Sequence, residues 1–306
     1  MQPDLRTTCQ DLAERAAMRR HYIKSINKQT NAFGALVRRA IGFDPNLPEG
    51  DREALVSRAA KITDAALRAP VAKEASEPII RALAADVEIV KLGIAPYRNH
   101  RTRIEEEMTA MAAGLPAAAF VDQTPGLSTK GLAIIVGEAG DLSSERYEHA
   151  GRMCGYDAVD PLWKRLGLAP YNGFAASSWR VPSRHTGAAL TADEWTGLGY
   201  KPTRRAEIFA FLEDNFLNAQ IVSKAKSGTP YGAPKTRYGA VYVARRERTG
   251  ETHPDWSPAH AKQDATRVMA KHVIRDLWRA WNSLPPRAIE AAMRLTTPCQ
   301  PALEEA

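Results

Sequence analysis

Apolar residues recur at steps of three and four positions along the first third of the chain, which is the spacing of one helix face. The clearest run begins at Ile80, continues over five heptads, and is interrupted only at Arg101. Its members are Ile80, Leu83, Val87, Val90, Ile94, Tyr97, Ile104, Met108, Met111 and Leu115. This pattern predicts a coiled coil or a long packed helical hairpin. Pro96 is expected to kink this helix or to divide it in two.

A second long helix is predicted over residues 10–42, because Tyr22 and Phe33 belong to a similar apolar stripe. Prolines and a glycine interrupt the chain after it, and a shorter helix is predicted over 51–68. The simplest arrangement folds the heptad helix back against the first helix. Residues 1–115 are therefore expected to form a helical arm, which either joins two chains as a homo-oligomer or closes as a hairpin within one chain.

Alanine, glycine and proline become frequent after residue 115, and residues 116–306 are expected to form a compact domain. Two short helices are predicted over 143–165, an amphipathic helix over 204–222 and a last helix over 258–283. The segment GAVYVARRE, residues 239–247, is a candidate strand. The expected fold class is mainly α: a long helical hairpin or coiled-coil arm, followed by a compact α-helical domain.

Composition excludes several classes of protein. The chain has 306 residues and is 44% hydrophobic and 25% charged, as is common for globular proteins. No apolar run reaches the ~18 residues of a membrane span, so no membrane partner is expected. Cys9, Cys154 and Cys299 are far apart, which favours reduced thiols in a cytoplasmic protein over a disulfide scaffold or a zinc site. No metal site is predicted within the chain.

Positive charge is concentrated in residues 221–250, although the whole chain carries only +7. The segment has one acidic residue, Glu247, and several tyrosines and turn residues. Its basic residues are Lys224, Lys226, Lys235, Arg237, Arg245, Arg246 and Arg248. Basic and aromatic groups mixed in a loop-rich segment are typical of a nucleic-acid backbone site. A solvated charged face is the alternative.

The stretch VDQTPGLSTKGLAIIVGEAGDL, which begins at residue 121, predicts two short helices joined by a tight turn. Gly126 can adopt a positive φ there, and Ser128 or Thr129 can cap the second helix. Backbone N–H groups at Gly126, Leu127 and Ser128 are expected to point outward and, with Lys130 beside them, to offer an anion site. An ordinary α-hairpin is the alternative.

This stretch resembles the helix-hairpin-helix motif of DNA-binding proteins, with Ser128 where that motif usually has its second glycine. Further matches follow in order: Pro125 and Gly126, Gly140 and Asp141, Tyr147, Gly167, Leu168 and Pro170, Gly199, and Arg204 or Arg205. Together they resemble the C-terminal domain of the DEDD insertion-sequence transposases, relatives of the pilin-gene invertases whose members use a bridge RNA. The resemblance covers roughly residues 15–285, including the predicted arm.

The resemblance implies a transposase or site-specific recombinase whose C-terminal serine attacks DNA. Ser177 or Ser178 matches this serine best, with Ser183 as a third candidate. The family's RuvC-like domain, which holds Mg²⁺ with four carboxylates, has no counterpart in this sequence. Mg²⁺ is therefore expected only with a RuvC-like partner domain, and no cofactor is expected within the chain.

DNA, and in this family a guide RNA, are the expected partners. The residues expected to contact DNA are Gly126, Leu127, Ser128, Thr129, Lys130, Arg180, Arg184, Arg204, Arg205, Lys235, Arg237, Arg245 and Arg246. Two other functions remain open: a non-catalytic helix-hairpin-helix DNA-binding protein or truncated transposase relic, and a structural coiled-coil protein whose basic segment binds a protein.

Overall fold

A computed structural model of the chain describes residues 4–149, 152–171 and 188–284. The protein is mainly helical, as predicted. The helices are α1 (Leu5–Ala40), α2 (Glu49–Arg68), α3 (Pro78–Ala82), α4 (Ala84–Ala112), α5 (Ala118–Asp122), α6 (Thr129–Ala139), α7 (Val159–Arg165), α8 (Ala192–Gly197), α9 (Pro202–Phe211), α10 (Leu217–Gln220), α11 (Lys224–Ser227), α12 (Arg237–Thr252) and α13 (Pro258–Trp281). A 3₁₀ turn (Ala72–Glu74) precedes α3, and a π-helical turn (Leu212–Phe216) joins α9 to α10.

The strands are short and form two antiparallel pairs. Strands β1 (Tyr147–His149) and β2 (Arg152–Cys154) make one pair, and β3 (Ile221–Val222) and β4 (Ala233–Pro234) make the other. The chain divides into two compact units, residues 14–107 and residues 1–13 with 108–306. Among the described helices, none is both long enough and apolar enough to cross a membrane.

The unit of residues 14–107 contains an antiparallel hairpin of α1 and α4. The contacting pairs are Arg15 with Glu107, Arg19 with Glu105, Tyr22 with His100 and Gln29 with Gly93. Because the residue number rises along α1 as its partner's falls along α4, these pairs define one antiparallel register. Arg19 and Glu105 are mostly buried and 2.8 Å apart, so theirs is better shielded than the Arg15–Glu107 pair. The predicted fold-back of the heptad helix against the first helix is therefore confirmed.

The apolar stripe predicted from the heptads packs within the chain. At one end of the hairpin, Ile80 and Val87 of this stripe pack in one buried cluster with Phe33 and Val37 of α1 and Ile62 of α2. Ile94 is also completely buried. Other residues of the same chain already cover this stripe. The homo-oligomer stays a prediction, and it would have to use another face of the arm.

Pro96 does not divide the heptad helix, because α4 continues through this residue, and the expected kink stays a prediction. A proline inside a helix leaves the carbonyl four residues earlier without its usual N–H partner. That carbonyl belongs to Leu92, whose residue is 73% exposed, so water can reach this side of the helix. The chain breaks instead before Ala84, where α3 ends.

The core of the second unit surrounds α6 and α13. Every residue of α6 from Gly131 to Ala139 is buried. Helix α13 is buried over most of its second half and packs against α12, α7 and α5. The predicted helix over 258–283 is thus confirmed, with Pro258 in its first turn.

Two secondary-structure predictions in this unit are wrong. The described residues of 143–165 include the paired strands β1 and β2 followed by α7, rather than two helices. Residues 239–247 lie within α12 rather than in a strand, because Thr236 caps this helix and Arg245 ties it to α13. The basic segment is consequently not mainly a loop: its first part contains β3, α11 and β4, and its second part is helical.

Asp141 and Tyr147, two of the residues that carried the family resemblance in the sequence, are in contact, and the Asp141 carboxylate is buried. Asp141 is only 3% exposed and accepts hydrogen bonds from the Ser143 N–H at 2.9 Å, the Ser143 hydroxyl at 2.7 Å and the Tyr147 hydroxyl at 2.6 Å. Arg6 lies over the Tyr147 ring, 4.1 Å from its centroid. Burial, and then the hydrogen bond to Asp141, raise the pKa of Tyr147, so this phenol stays a donor. The cluster fixes the chain where α6 ends and the β1–β2 hairpin begins.

The Tyr147→Phe variant tests this cluster. It keeps the ring but removes one donor from a buried carboxylate, which should lower the free energy of unfolding by about 1–3 kcal/mol. Urea unfolding followed by circular dichroism measures the change. Tyr171→Phe is the matched control, since the Tyr171 ring makes edge contacts with Trp195 and Tyr200 that the variant retains. Equal stability of the two variants would contradict the role given to the Tyr147 hydroxyl.

Candidate nucleic-acid interface

The predicted hairpin is formed by α5, a Pro-Gly turn and α6. The Thr124 hydroxyl donates to the Phe120 carbonyl at 2.7 Å and so closes the end of α5. Gly126 adopts a φ of +80°. Ser128 caps α6, because its hydroxyl accepts the N–H of Gly131 at 3.2 Å. Ser128 itself has a φ of +41°, a conformation that costs non-glycine residues free energy.

The turn is less open than the sequence suggested. The Leu127 side chain is completely buried, and its N–H donates to the Thr124 carbonyl at 3.1 Å. The prediction that this N–H points outward is therefore wrong. Gly126 lies against the end of the π-helical turn and α10, where an added Cβ would come within 2.6 Å of the Ala219 Cβ. The exposed surface of the turn is formed by Pro125, Ser128 and Lys130, beside a half-buried Thr129.

A buried glutamine holds the turn against the basic segment. Gln220 is fully shielded, and its amide donates to the carbonyl of Pro125 at 2.6 Å and to that of Phe216 at 3.2 Å. Its side-chain oxygen accepts the hydroxyl of Thr236, the residue that caps α12. The Gln220 backbone carbonyl accepts the Lys235 N–H at 2.8 Å. One side chain thus fixes the turn before α6 relative to the N-terminus of α12.

Several cations of the basic segment have partners inside the protein. Arg237 lies 3.2 Å from the Asp276 carboxylate, which is 1% exposed, and its guanidinium also donates to the Tyr238 hydroxyl. Arg275 pairs with the same carboxylate at 3.0 Å. Arg237 and Asp276 line a cleft of about 570 Å³ between α5, α12 and α13. The DNA contact of Arg237 stays a prediction. It would involve a side chain that is already paired with Asp276 in this cleft.

Near the middle of α12, two arginines again share one buried carboxylate. Arg245 and Arg267 each approach the Asp264 carboxylate to 2.5 Å. Burial alone would raise the pKa of Asp264, but the charges of Arg267 and Arg245 outweigh it and hold the pKa below its usual value. Arg246 instead donates to the Pro258 carbonyl and lies over the Tyr231 ring. The ammonium of Lys235 donates to the Asn218 carbonyl at 3.3 Å, and Lys235 is exposed.

The second predicted basic pair lies at the start of α9. Arg205 donates to the Gly167 carbonyl at 3.3 Å, and Gly167 packs so closely that an added Cβ would lie 2.6 Å from the Arg205 Cβ. The Gly-Leu-x-Pro match and the arginine match of the sequence are therefore in contact. Arg204 lies 3.8 Å from the buried Glu138 of α6.

Two cations that the sequence analysis did not select lie on α13, and one of them, Arg267, acts electrostatically on Arg205. Arg267 and Lys271 are four residues apart on α13, and the charge of Arg267 acts on both Arg205 and Lys271. The Lys271 ammonium lies 4.7 Å from the centroid of the Trp163 ring on α7. The i,i+4 spacing of two cations on one helix face was visible in the sequence and is the signal that could have found them.

The two serines predicted as nucleophiles, Ser177 and Ser178, lie outside the described residues, as do Ser183, Arg180 and Arg184. The residues on either side of this segment are described. Tyr171 packs edge-on against Trp195 and Tyr200, and the Tyr200 hydroxyl donates to the Pro170 carbonyl at 3.1 Å. In the part of the chain that the structure describes, no three His, Cys, Asp or Glu side chains come together as metal ligands.

Comparisons with protein-family models, with curated proteins and with solved structures find no match to this chain.

A pair of variants at Ser128 tests the strained turn. Ser128→Ala removes the cap and keeps the positive φ, whereas Ser128→Gly removes the cap but relieves the strain. We expect the glycine variant to be more stable than the alanine variant by about 1 kcal/mol or more. Thermal unfolding followed by circular dichroism measures both. An alanine variant as stable as the glycine variant would show that the backbone at 128 is not strained.

The Gln220→Leu variant tests the contact between the turn and α12. It fills a similar volume but leaves the Pro125 carbonyl and the Thr236 hydroxyl without their partner, which should cost about 2–4 kcal/mol of unfolding free energy. Asn215→Leu, at an exposed position of the preceding π-helical turn, is the control and should change stability by less than about 0.5 kcal/mol. Urea unfolding compares the two. Similar losses from both variants would contradict the role of Gln220.

Proposed function

We propose that the chain is a DNA-binding protein of the transposase or site-specific recombinase type, and that the surface around the α5–α6 turn contacts the DNA backbone. The observation that carries the proposal is the backbone at Gly126 and Ser128, where both residues have a positive φ. In the helix-hairpin-helix motif, glycines usually occupy these two positions. Ser128 thus has a backbone conformation that glycine adopts without strain, which supports the proposal although its side chain departs from the motif.

Contacts between distant matches support the same proposal. Gly140 ends α6 and Asp141 binds Tyr147, while Gly167 contacts Arg205. These residues carried the resemblance in the sequence, and they occupy structural positions that few other residues could fill. The exposed Lys130 lies in the first turn of α6, where the helix dipole adds positive potential.

Salt-dependent DNA binding tests the proposal. Fluorescence anisotropy with a labelled duplex should give an affinity that falls linearly with salt on a log–log scale, because bound cations are released from DNA. Lys130→Gln should weaken binding and reduce the slope by about 1. Lys61→Gln, an exposed lysine of α2, is the control with the same loss of charge. Binding that does not depend on salt, or equal behaviour of the two variants, would count against the proposed surface.

Covalent trapping separates a recombinase from a non-catalytic DNA-binding protein. A suicide DNA substrate, supplied together with a RuvC-like domain and Mg²⁺, should form a phosphoserine adduct with the chain. The adduct should disappear in Ser177→Ala or in Ser178→Ala, and denaturing gel electrophoresis detects it. DNA binding without any adduct under these conditions would favour the non-catalytic alternative.

A further inference from the structure

The cleft between α5, α12 and α13 is large enough to hold a small organic molecule. Its volume is about 570 Å³, and pockets that bind small molecules usually measure roughly 300–1,000 Å³. All three helices belong to the same compact unit of the chain. No sequence motif predicted the cleft, because its lining comes from three segments that lie far apart along the chain.

Part of the lining is apolar and in contact with water. It includes Ala119 and Phe120 of α5, Ala280 of α13 and Leu284, which follows α13. Ala119 is exposed, Leu284 is 39% exposed, and the other two are partly buried. Water around such groups is released when an apolar ligand covers them, and this release favours binding. A ligand for the cleft therefore needs an apolar body of its own.

Arg237, Tyr238 and Asp276 supply a charged part of the lining. The Asp276 carboxylate is 1% exposed and accepts the Tyr238 hydroxyl at 3.0 Å and the Nε–H of Arg275 at 3.1 Å. Arg237 approaches the same carboxylate to 3.2 Å, but its side chain is 41% exposed. The carboxylate is thus buried and already has its partners, whereas much of Arg237 remains accessible. The arginine, and not the carboxylate, can therefore bind a ligand through its charge.

The charges of this group do not cancel. Two arginines, Arg237 and Arg275, pair with the single carboxylate of Asp276, so one positive charge remains. His272, one turn earlier on α13, adds no charge at neutral pH, because burial and then the charge of Arg275 lower its pKa to about 4. Within the described residues, the polar contacts of the Arg237 side chain all involve Nη2. Its donors on Nε and Nη1 are therefore left for a ligand.

We propose that this cleft binds a small organic carboxylate with an aromatic or other apolar body. The carboxylate accepts N–H groups of the Arg237 guanidinium, whose planar fork matches two carboxylate oxygens. The body of the ligand covers Phe120 and Leu284. Charge complementarity selects the anion, since a single excess positive charge suits a monoanion better than a cation or a phosphate dianion. The site requires no DNA, so it does not depend on the proposed function.

Photolabelling of the full chain with para-benzoylbenzoate tests the site. This probe has an aromatic body and one carboxylate, and its ketone bonds to nearby C–H groups on irradiation. We expect saturable labelling of α5 or of the end of α13, located by mass spectrometry, with half-saturation at about 1 mM or below. The neutral isostere para-benzoylbenzamide should bind about tenfold more weakly or worse, because it loses a charged hydrogen bond. Equal binding of the two probes, or no saturable labelling at millimolar concentration, would overturn the proposal.

The Ala119→Trp variant tests the position of the site. Ala119 is exposed and lines the cleft, so the indole occupies part of the cleft without displacing a buried group. Saturable labelling by para-benzoylbenzoate should be lost, while the circular dichroism spectrum stays that of the wild type. Ala113→Trp, at an exposed alanine that does not line the cleft, is the matched control and should be labelled like the wild type. Labelling that survives Ala119→Trp would place the probe elsewhere.

Two substitutions of Arg237 test the charged contact. Arg237→Lys keeps the positive charge but loses the planar fork, whereas Arg237→Gln loses both. Affinity for para-benzoylbenzoate should therefore fall in the order wild type, lysine variant, glutamine variant, with a total loss of about tenfold. Affinity for para-benzoylbenzamide should change little, since this probe has no charge. An equal loss of affinity for both probes would contradict a direct contact between Arg237 and the carboxylate.

Discussion

The buried amide of Gln220 is the contact on which the arrangement of the candidate interface depends. It joins the carbonyl of Pro125 to the hydroxyl of Thr236, and its own backbone carbonyl receives the N–H of Lys235. A buried amide without partners costs several kcal/mol, so these groups stabilise one relative placement of the hairpin turn and α12. The positive φ of Gly126 belongs to the same constraint, because it lets the turn lie against α10.

Shared carboxylates explain why the number of basic residues overstates the charge that a ligand would meet. Asp264 and Asp276 each bind two arginines, and each ties α12 to α13. A buried carboxylate needs such partners, since losing one would leave an uncompensated charge. Arg237 and Arg245 therefore stabilise the helix pair, and each cluster keeps one positive charge in excess. That excess, rather than the full set of arginines, determines the attraction for an anion.

Local patterns predicted the parts of the fold that depend on neighbours in sequence. The heptads of α4 and the Pro-Gly turn before α6 were predicted because their signals lie within a few residues. The assignment of residues 239–247 to a strand failed because Val241, Tyr242 and Val243 are residue types that are common in strands. The contacts that favour a helix come instead from Asp264 and the Thr236 cap. The β1–β2 hairpin was missed because its strands are only three residues long.

The candidate site could be predicted only in part for the same reason. A sequence shows which residues are charged, but it does not show which of them form ion pairs in the folded protein. Arg245 and Arg267 both pair with Asp264, and this negative charge reduces the positive potential that each arginine presents to a ligand. Lys271 carries no such direct ion pair among its described contacts and lies beside a like charge. Like charges that packing holds together remain attractive to anions even where the net charge of the chain is modest. Which charges lie close together is therefore determined by the packing of the helices, which the sequence alone does not show.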